Sequence, residues 1–352
     1  MQQGAKEIVV SKKGYGIIGT GAVGIIHAQA VQALDSAELK GVYSLDRKGA
    51  EDLAEMFSCK VYDSLEMMGD DPDIEFVSIC TPSGAHLEPA LLMAEKGKNL
   101  IIEKPLEITL ERCDRIIQVA EKAGVLLSGI FQTRFHNSAI KLKEAVSQGR
   151  FGTISLASAY VKWYRDQDYY DQSDWRGTWK LDGGGAVMNQ SIHAVDLLLW
   201  LMGPVTEVKA FGDTLSHKGI EVEDTLTGIM KFDNGTLGTI EATTGSWPGS
   251  FKKIEICGDK GHAVMEEDRI VTWEFLETED GESNEEANEE ASSTAGSVKD
   301  PIDIGYTAHM RQIGDCIQAQ EDGVLPSVTA ADARKAVELV LNLYDAAGVG
   351  PK

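Results

Sequence analysis

The sequence predicts an α/β protein, with an N-terminal Rossmann domain (a doubly wound parallel sheet) followed by an α+β domain carrying a large open, mainly antiparallel sheet. Three observations carry that expectation. Apolar strand runs alternate with helical patterns from Tyr15 to Phe131, and the first strand enters the glycine pattern Gly19-Thr20-Gly21-Ala22-Val23-Gly24 directly. Past Asn137 the rhythm changes to strand runs separated by turns such as Asp233-Asn234-Gly235, where Asn-Gly is a strong hairpin signal. At 352 residues the chain is long for a single core, so two domains are expected, at 1–133 and 134–352.

The first unit occupies residues 14 to 46. Tyr15 to Ile18 is short enough for a buried parallel strand. Gly19 then permits a tight turn, Gly21 lets the backbone of Gly21-Ala22-Val23 approach a pyrophosphate, and Gly24 lets the following helix sit close on the sheet. An anion there faces a helix N-terminus, whose free N–H groups and dipole favour it. A second apolar run, Leu39 to Leu45, ends at Asp46, where a carboxylate accepts the ribose hydroxyls of NAD. Asp46 repels a 2′-phosphate, which selects NAD; Arg47 and Ser44 leave NADP as the lesser expectation.

The next elements follow the same alternation. Residues 50 to 57 read as a short helix, Ile74 to Cys80 as a buried strand, Leu87 to Lys96 as a helix and Asn99 to Ile102 as a strand. Thr109 caps a periodic helix that Gly124 stops, and Val125 to Phe131 gives another strand. Ligands of such sheets sit at the carboxyl ends of the strands. Those ends are the glycine turn, Asp46, Thr81-Pro82, Glu103-Lys104-Pro105 and Gln132-Thr133-Arg134. The second domain opens with a helix over Ser138 to Gln148. Strand runs follow at Ile154 to Val161, Glu207 to Gly212, Thr225 to Phe232, Thr236 to Ala242 and Lys253 to Cys257, with a helix from Asn189 to Met202 between them. Helices over Tyr306 to Gln320 and Thr329 to Ala346 close the chain.

Composition narrows the class. The chain is 43% hydrophobic and 25% charged, as in ordinary globular proteins, and has no apolar run of membrane-spanning length or signal-peptide pattern. A cytoplasmic address is expected. Five scattered cysteines without a C-x-x-C suggest neither a disulfide framework nor a zinc site, and no metal site is assigned. The net charge of −23 is concentrated: residues 266 to 290 hold twelve acids and one base. A mobile acidic insertion is expected at 278–299, and the acidic balance excludes a nucleic-acid-binding face.

Two constellations carry chemistry. Lys104 stands at the end of a central strand, where its ammonium can hydrogen-bond a substrate hydroxyl and steady the proton of an alkoxide as hydride moves. Its bland alternative is a surface lysine before a turn. Lys104-Pro105 is a candidate cis peptide. The second is Asp182-Gly183-Gly184-Gly185, leading to a helix with Asn189 and, four residues on, His193 on the same face. An imidazole can take a hydroxyl proton while Asn189 orients substrate or nicotinamide. Spacing alone equally suits a capping asparagine and a packed histidine.

The glycine pattern, Glu103-Lys104-Pro105 and Gly183-Gly184-Gly185…Asn189…His193…Asp196 together resemble the glucose–fructose oxidoreductase/inositol dehydrogenase/rhizopine catabolism (Gfo/Idh/MocA) family, from about Tyr15 to Tyr344. The resemblance implies a Rossmann domain and a second domain whose open sheet makes a homodimer or homotetramer. It further implies NAD(P)-dependent oxidation or reduction of a sugar, cyclitol or related polyol, with Lys104 and His193 as catalytic lysine and histidine. The chain departs from inositol-dehydrogenase-like members at Asn189, where they carry Asp. Thr81, Pro82 and His86 match the cofactor-side turn, with His86 expected in a cofactor-side or capping role, and Glu103 and Lys104 also border the cofactor. Arg134 resembles a substrate-contacting position, and Arg165, Trp175 and Arg176 supply stacking and hydrogen bonds for a sugar. His309 is a further residue that reaches toward the pocket.

The leading expectation is thus an NAD-dependent oxidoreductase acting on a secondary alcohol of a sugar, sugar derivative or cyclitol. An NAD-using glycosidase of the same family and a non-catalytic dinucleotide-binding regulator are the alternatives. Nucleotide sugars are less expected, because no cluster of bases for a diphosphate is visible beyond Arg134, Arg165 and Arg176.

Overall fold

A computed structural model describes residues 12–277 and 305–351. The acidic insertion expected at 278–299 lies outside the described residues. The first sheet is built from β1 (Lys13–Ile18), β2 (Ala37–Tyr43), β3 (Lys60–Val61), β4 (Phe76–Ile79), β5 (Asn99–Ile102) and β6 (Leu127–Gly129). Helices α1 (Ala22–Gln32), α2 (Arg47–Phe57), α3 (Leu65–Asp70), α4 (Leu87–Glu95) and α5 (Leu110–Ala123) connect them. Tyr15, Ile17, Phe76, Val77, Leu100 and Ile101 are fully buried, which is why these strands read as continuous apolar runs and not as alternating ones. All pairs are parallel in the order β3-β2-β1-β4-β5-β6, so the winding reverses between β1 and β4 and opens a crevice at their carboxyl ends.

Local signals place the helix ends. The Thr109 side chain accepts the Arg112 N–H at the start of α5, and Gly124 takes the left-handed conformation that ends it. The strand expected over 125–131 is shorter, because the Phe131 N–H bonds to Gln312 Oε1 (3.0 Å) and the chain turns through residues 132–135 instead of extending the ladder.

The second sheet follows α6 (Asn137–Ser147). Its strands are β7 (Ile154–Lys162), β8 (Val205–Asp213), β9 (Thr225–Phe232), β10 (Leu237–Thr243), β11 (Lys253–Gly258), β12 (Gly261–Glu266) and β13 (Arg269–Phe275). Between β7 and β8 lie α7 (Gln167–Asp171) and α8 (Ile192–Met202). The order is β13-β12-β11-β7-β10-β9-β8, antiparallel except where β7 and β10 run parallel. The Asn-Gly turn joins β9 to β10 as expected, with the Asn234 side-chain oxygen accepting the Thr236 N–H. On β9 the residues Leu226, Met230 and Phe232 point into the core. Ile229, with Phe211, Leu237 and Leu156 of the neighbouring strands, faces outward and exposed.

Helices α9 (Thr307–Asp322) and α10 (Ala330–Ala347) close the fold. Ile313, Cys316 and Ile317 of α9 pack into the core of the first sheet, although the linear division at 133/134 groups them with the second. Leu339, Val340, Leu343 and Tyr344 of α10 join the core under the second sheet. No helix among the described residues is long and apolar enough to cross a membrane.

Candidate active site

The glycine turn has the shape a pyrophosphate needs. Gly19 sits at φ +97° with a Cβ position 2.6 Å from the Cys80 carbonyl oxygen, and a Cβ on Gly24 would lie 2.3 Å from the Gly19 oxygen. Nothing lies within 4 Å of the Cβ position of Gly21, so the only obstacle to an approaching phosphate there would be a side chain, and glycine has none. The turn leads through Ala22 and Val23 into α1. Asp46 is exposed just beyond β2, whereas the Arg47 guanidinium is held by Glu51 (2.8 Å) and Asp63 (2.6 Å). That commitment leaves Arg47 poorly placed to receive a 2′-phosphate and strengthens the choice of NAD.

Thr81 and Pro82 form the turn after β4, where the Thr81 hydroxyl donates to the Ala85 carbonyl (3.0 Å). His86 corrects the expectation of a side-chain capping role. It occupies the cap position of α4 without a side-chain cap bond and is fully buried. Its ring nitrogens lie 3.0 Å from the carbonyl oxygens of Pro105 and Thr81, and the ring, kept neutral by burial, donates to one of them.

At the exit of β5 a chain of buried hydrogen bonds fixes Glu103 and hence Lys104. Burial pulls the His27 imidazole down, so it is neutral. Its Nδ1 then accepts from the Ser78 hydroxyl (2.6 Å), which accepts from the Tyr15 hydroxyl (2.7 Å), while His27 Nε2 donates to Glu103 Oε1 (3.0 Å). The His309 Nε2 lies 3.6 Å from the same oxygen. Burial pushes the Glu103 carboxyl up, but the hydrogen bonds from His27 and His309 outweigh it and hold the group well below the usual carboxylate value. Its other oxygen accepts the Lys104 backbone N–H (3.0 Å), and Lys104-Pro105 is cis. His309, expected to reach the pocket, thus supports its wall.

The second constellation folds as a wide π-type turn, Ala186–Ser191, before α8, where the sequence pattern predicts a regular helix from Asn189. Glu223 anchors this turn by accepting the N–H groups of Gly185 (2.9 Å) and Val187 (2.8 Å) and the Tyr344 hydroxyl (2.8 Å). Complete burial pushes the Glu223 carboxyl up to about 7. Nothing in the sequence around Glu223 announces this role, because its partners are 36 or more residues away.

The turn brings Asn189 onto Lys104. The ammonium donates to the Asn189 carbonyl oxygen (2.7 Å) and to its side-chain Oδ1 (3.3 Å), and the Asn189 amide nitrogen donates to Asp182. Asp182 is 1% exposed, and burial raises its carboxyl to about 6 against the opposing pull of the Gly177 N–H, Asn189, Lys104 and Arg176. Burial lowers the Lys104 pKa, partly offset by the charges of Glu103 and Asp182. Burial likewise takes His193 well below its usual value, helped by the Lys104 and Lys252 charges, so the imidazole is a neutral base at pH 7 that feels Lys104 directly. Its ring meets Phe131 edge-on at 5.7 Å, and its buried Nδ1 has no partner among the described residues.

The remaining candidates separate. Arg165 Nη2 donates to Gln190 Oε1 (3.0 Å), and Gln190 Nε2 donates to Asn189 Oδ1 (3.1 Å) and to the Tyr169 hydroxyl (3.0 Å), so Arg165 and Lys104 share one network. Arg176 stacks over the Tyr169 ring at 4.3 Å and lies 5.5 Å from that of Trp175, which is half-buried. Arg134, expected to contact substrate, is committed to an ion pair within the protein. It is 6% exposed and forms a two-point ion pair with Asp196 (2.8 and 2.5 Å), because a buried guanidinium takes the nearest carboxylate in place of water. Gln190 and Asp182 were missed as site residues, although both lie inside the glycine-rich stretch that pointed to Asn189.

The model described as "Oxidoreductase family, NAD-binding Rossmann fold" matches residues 13–131, and the "GFO/IDH/MocA C-terminal domain" model matches residues 139–264. The chain belongs to the GFO/IDH/MocA oxidoreductase family. Among its relatives in this family is the myo-inositol 2-dehydrogenase of Thermotoga maritima, 30% identical over 267 residues that make up 73% of this chain and 76% of that protein. The 2,7-anhydro-N-acetylneuraminate hydratase of Mediterraneibacter gnavus is 27% identical over 70% of this chain and 66% of its own. Among solved structures, the WlbA dehydrogenase from Bordetella pertussis in complex with NADH and UDP-GlcNAcA superposes with a TM-score of 0.84 at 30% identity, covering 96% of this chain and 97% of that one. Asn189 is hydrogen-bonded to a buried carboxylate, Asp182.

Proposed function

We propose that the protein is an NAD-dependent oxidoreductase that moves a hydride between nicotinamide and a secondary alcohol carbon of a sugar, sugar derivative or cyclitol. The observation that carries this reading is the meeting of the Lys104 ammonium, from the end of a central Rossmann strand, with the Asn189–His193 segment of the second domain. Gly19, Gly21, Ala22, Val23, Gly24 and Asp46 would hold the dinucleotide, with Thr81, Pro82, Glu103 and Lys104 bordering it. Bound NAD supplies the hydride acceptor. In that arrangement neutral His193 takes the proton of the substrate hydroxyl. Lys104 donates a hydrogen bond to the same oxygen and steadies its developing negative charge. Asn189 aims the ammonium, and Arg165, Trp175 and Arg176 line the substrate side. A panel of sugars, cyclitols, anhydrosugars and nucleotide sugars, read by NADH absorbance, tests this: at least one should yield stoichiometric NADH, and NADPH should form far more slowly from NADP. Redox-neutral chemistry is the second reading, favoured by the likeness to a hydratase, and it predicts substrate conversion without NADH accumulation.

The open face of the second sheet supports self-association as a homodimer or homotetramer. Phe211 and Ile229 are 88% and 55% exposed there, among charged neighbours such as Lys209 and Lys231, a mixture suited to a partner surface. The five free cysteines fit a reducing, cytoplasmic setting.

A further inference from the structure

Arg165 and Arg176 are cations without an ionic answer. No carboxylate among the described residues lies within 4.0 Å of either guanidinium, in a chain whose net charge is −23. The nearest acid in the network, Asp182, spends its oxygens on the Gly177 N–H (2.9 Å) and the Asn189 amide. Glu103 is likewise occupied by the two histidines and the Lys104 N–H. What the two arginines do have is positional support. Arg176 sits over the Tyr169 ring at 4.3 Å and Arg165 lies 5.3 Å from it, with Trp163 5.4 Å away on another side. Each also donates to a neutral oxygen, Arg165 to Gln190 (3.0 Å) and Arg176 to the Tyr169 carbonyl (3.2 Å). In both, Nε is buried and has no acceptor. A buried donor left unmade is costly, and an aromatic-backed guanidinium is the group best shaped to receive a two-oxygen anion.

Resting on the dehydrogenase reading, we infer that Arg165 and Arg176 form an anion subsite beside the reacting alcohol. The substrate is then a negatively charged sugar derivative and not a neutral sugar or cyclitol. The shared chemistry is an anionic oxygen pair, supplied either by a sugar carboxylate or by a phosphate or diphosphate ester. The network Arg165–Gln190–Asn189–Lys104 couples that anion to the lysine, so filling the subsite also fixes the catalytic ammonium.

The test uses the full chain saturated with NADH or NAD. Binding to the enzyme–NADH complex is measured by calorimetry, and turnover by NADH formation, with glucose, myo-inositol, glucuronate, UDP-glucose and UDP-glucuronate. The expected result is binding of at least one anionic ligand about 10- to 100-fold tighter than the neutral ones, in line with hydrogen bonds between charged groups. Arg165→Gln and Arg176→Gln should each remove about that factor for the anion and cost glucose clearly less, with unchanged NADH affinity as the check on folding. Arg165→Lys should recover part of it. Preference for glucuronate identifies a carboxylate; preference for UDP-glucose over glucuronate identifies the diphosphate. Equal binding of neutral and charged ligands, or equal losses for both in the arginine variants, overturns the proposal. If anions bind with arginine dependence yet no NADH forms from any substrate, the subsite stands and the hydride-transfer reading fails.

Discussion

Arg134 and Arg165 are two guanidiniums that the sequence sets in the same cleft, and they differ in what answers their charge. Arg134 is matched oxygen for nitrogen by Asp196, approached by Asp332 at 3.6 Å, and sealed under Trp200. Arg165 is held by rings, the Gln190 amide and the Tyr164 carbonyl, and no carboxylate among the described residues pairs with it. The same distinction separates His86, with both nitrogens beside carbonyl oxygens, from His193, with a bare Nδ1. Arg134 braces the scaffold, whereas Arg165 and His193 keep buried nitrogens without a partner among the described residues.

The comparison makes predictions of decreasing size. At the candidate site, Lys104→Met should lower kcat/KM by about 10²- to 10⁴-fold, the usual range for an acid–base group, while NADH binding and melting temperature stay near wild type. Steady-state kinetics with calorimetric NADH titration check this; loss of NADH affinity in parallel would make Lys104 a cofactor residue instead. In the scaffold, Arg134→Ala should leave Asp196 buried and unpaired and cost about 3–5 kcal/mol of stability by denaturant unfolding. The Asp196 carboxyl, raised by burial to about 6 even with its partner, would rise further. A variant that folds normally but loses substrate affinity would return Arg134 to the site.

Between these extremes stands Asp182→Asn. Its charge helps keep Lys104 protonated, so removing it lowers the lysine pKa and moves the alkaline limb of kcat/KM to lower pH. Because the Asp182 carboxyl titrates at about 6, wild type and variant should converge below that pH. Identical pH profiles throughout would show that Asp182 acts by packing alone.

Local signals made much of the first domain and one hairpin of the second legible. The strand–glycine–helix unit, the Thr109 cap and the Asn-Gly hairpin each depend on residues adjacent in the chain, and Lys104 could be located because a strand end fixes a side chain's place. Illegible features depend on distant partners. Arg134 meets a carboxylate 62 residues away, and Glu223 ties down a turn 36 residues before it. The strand β13 lies inside the acidic stretch that begins at Glu266, and β12 offers only the short apolar run Ala263-Val264-Met265, so both are placed by their pairing with each other and of β12 with β11. Asn189 was placed on a regular helix because spacing reports period and does not reveal the wider turn that Glu223 imposes.

The measurement that most directly tests the convergence of Lys104 and His193 on one substrate oxygen is a double-mutant cycle of Lys104→Met and His193→Ala, scored by kcat/KM for NADH formation. Two groups handling one proton act as a unit, so the double variant should be about as impaired as the worse single one. If the two losses multiply, the residues work independently and the shared site described here is wrong.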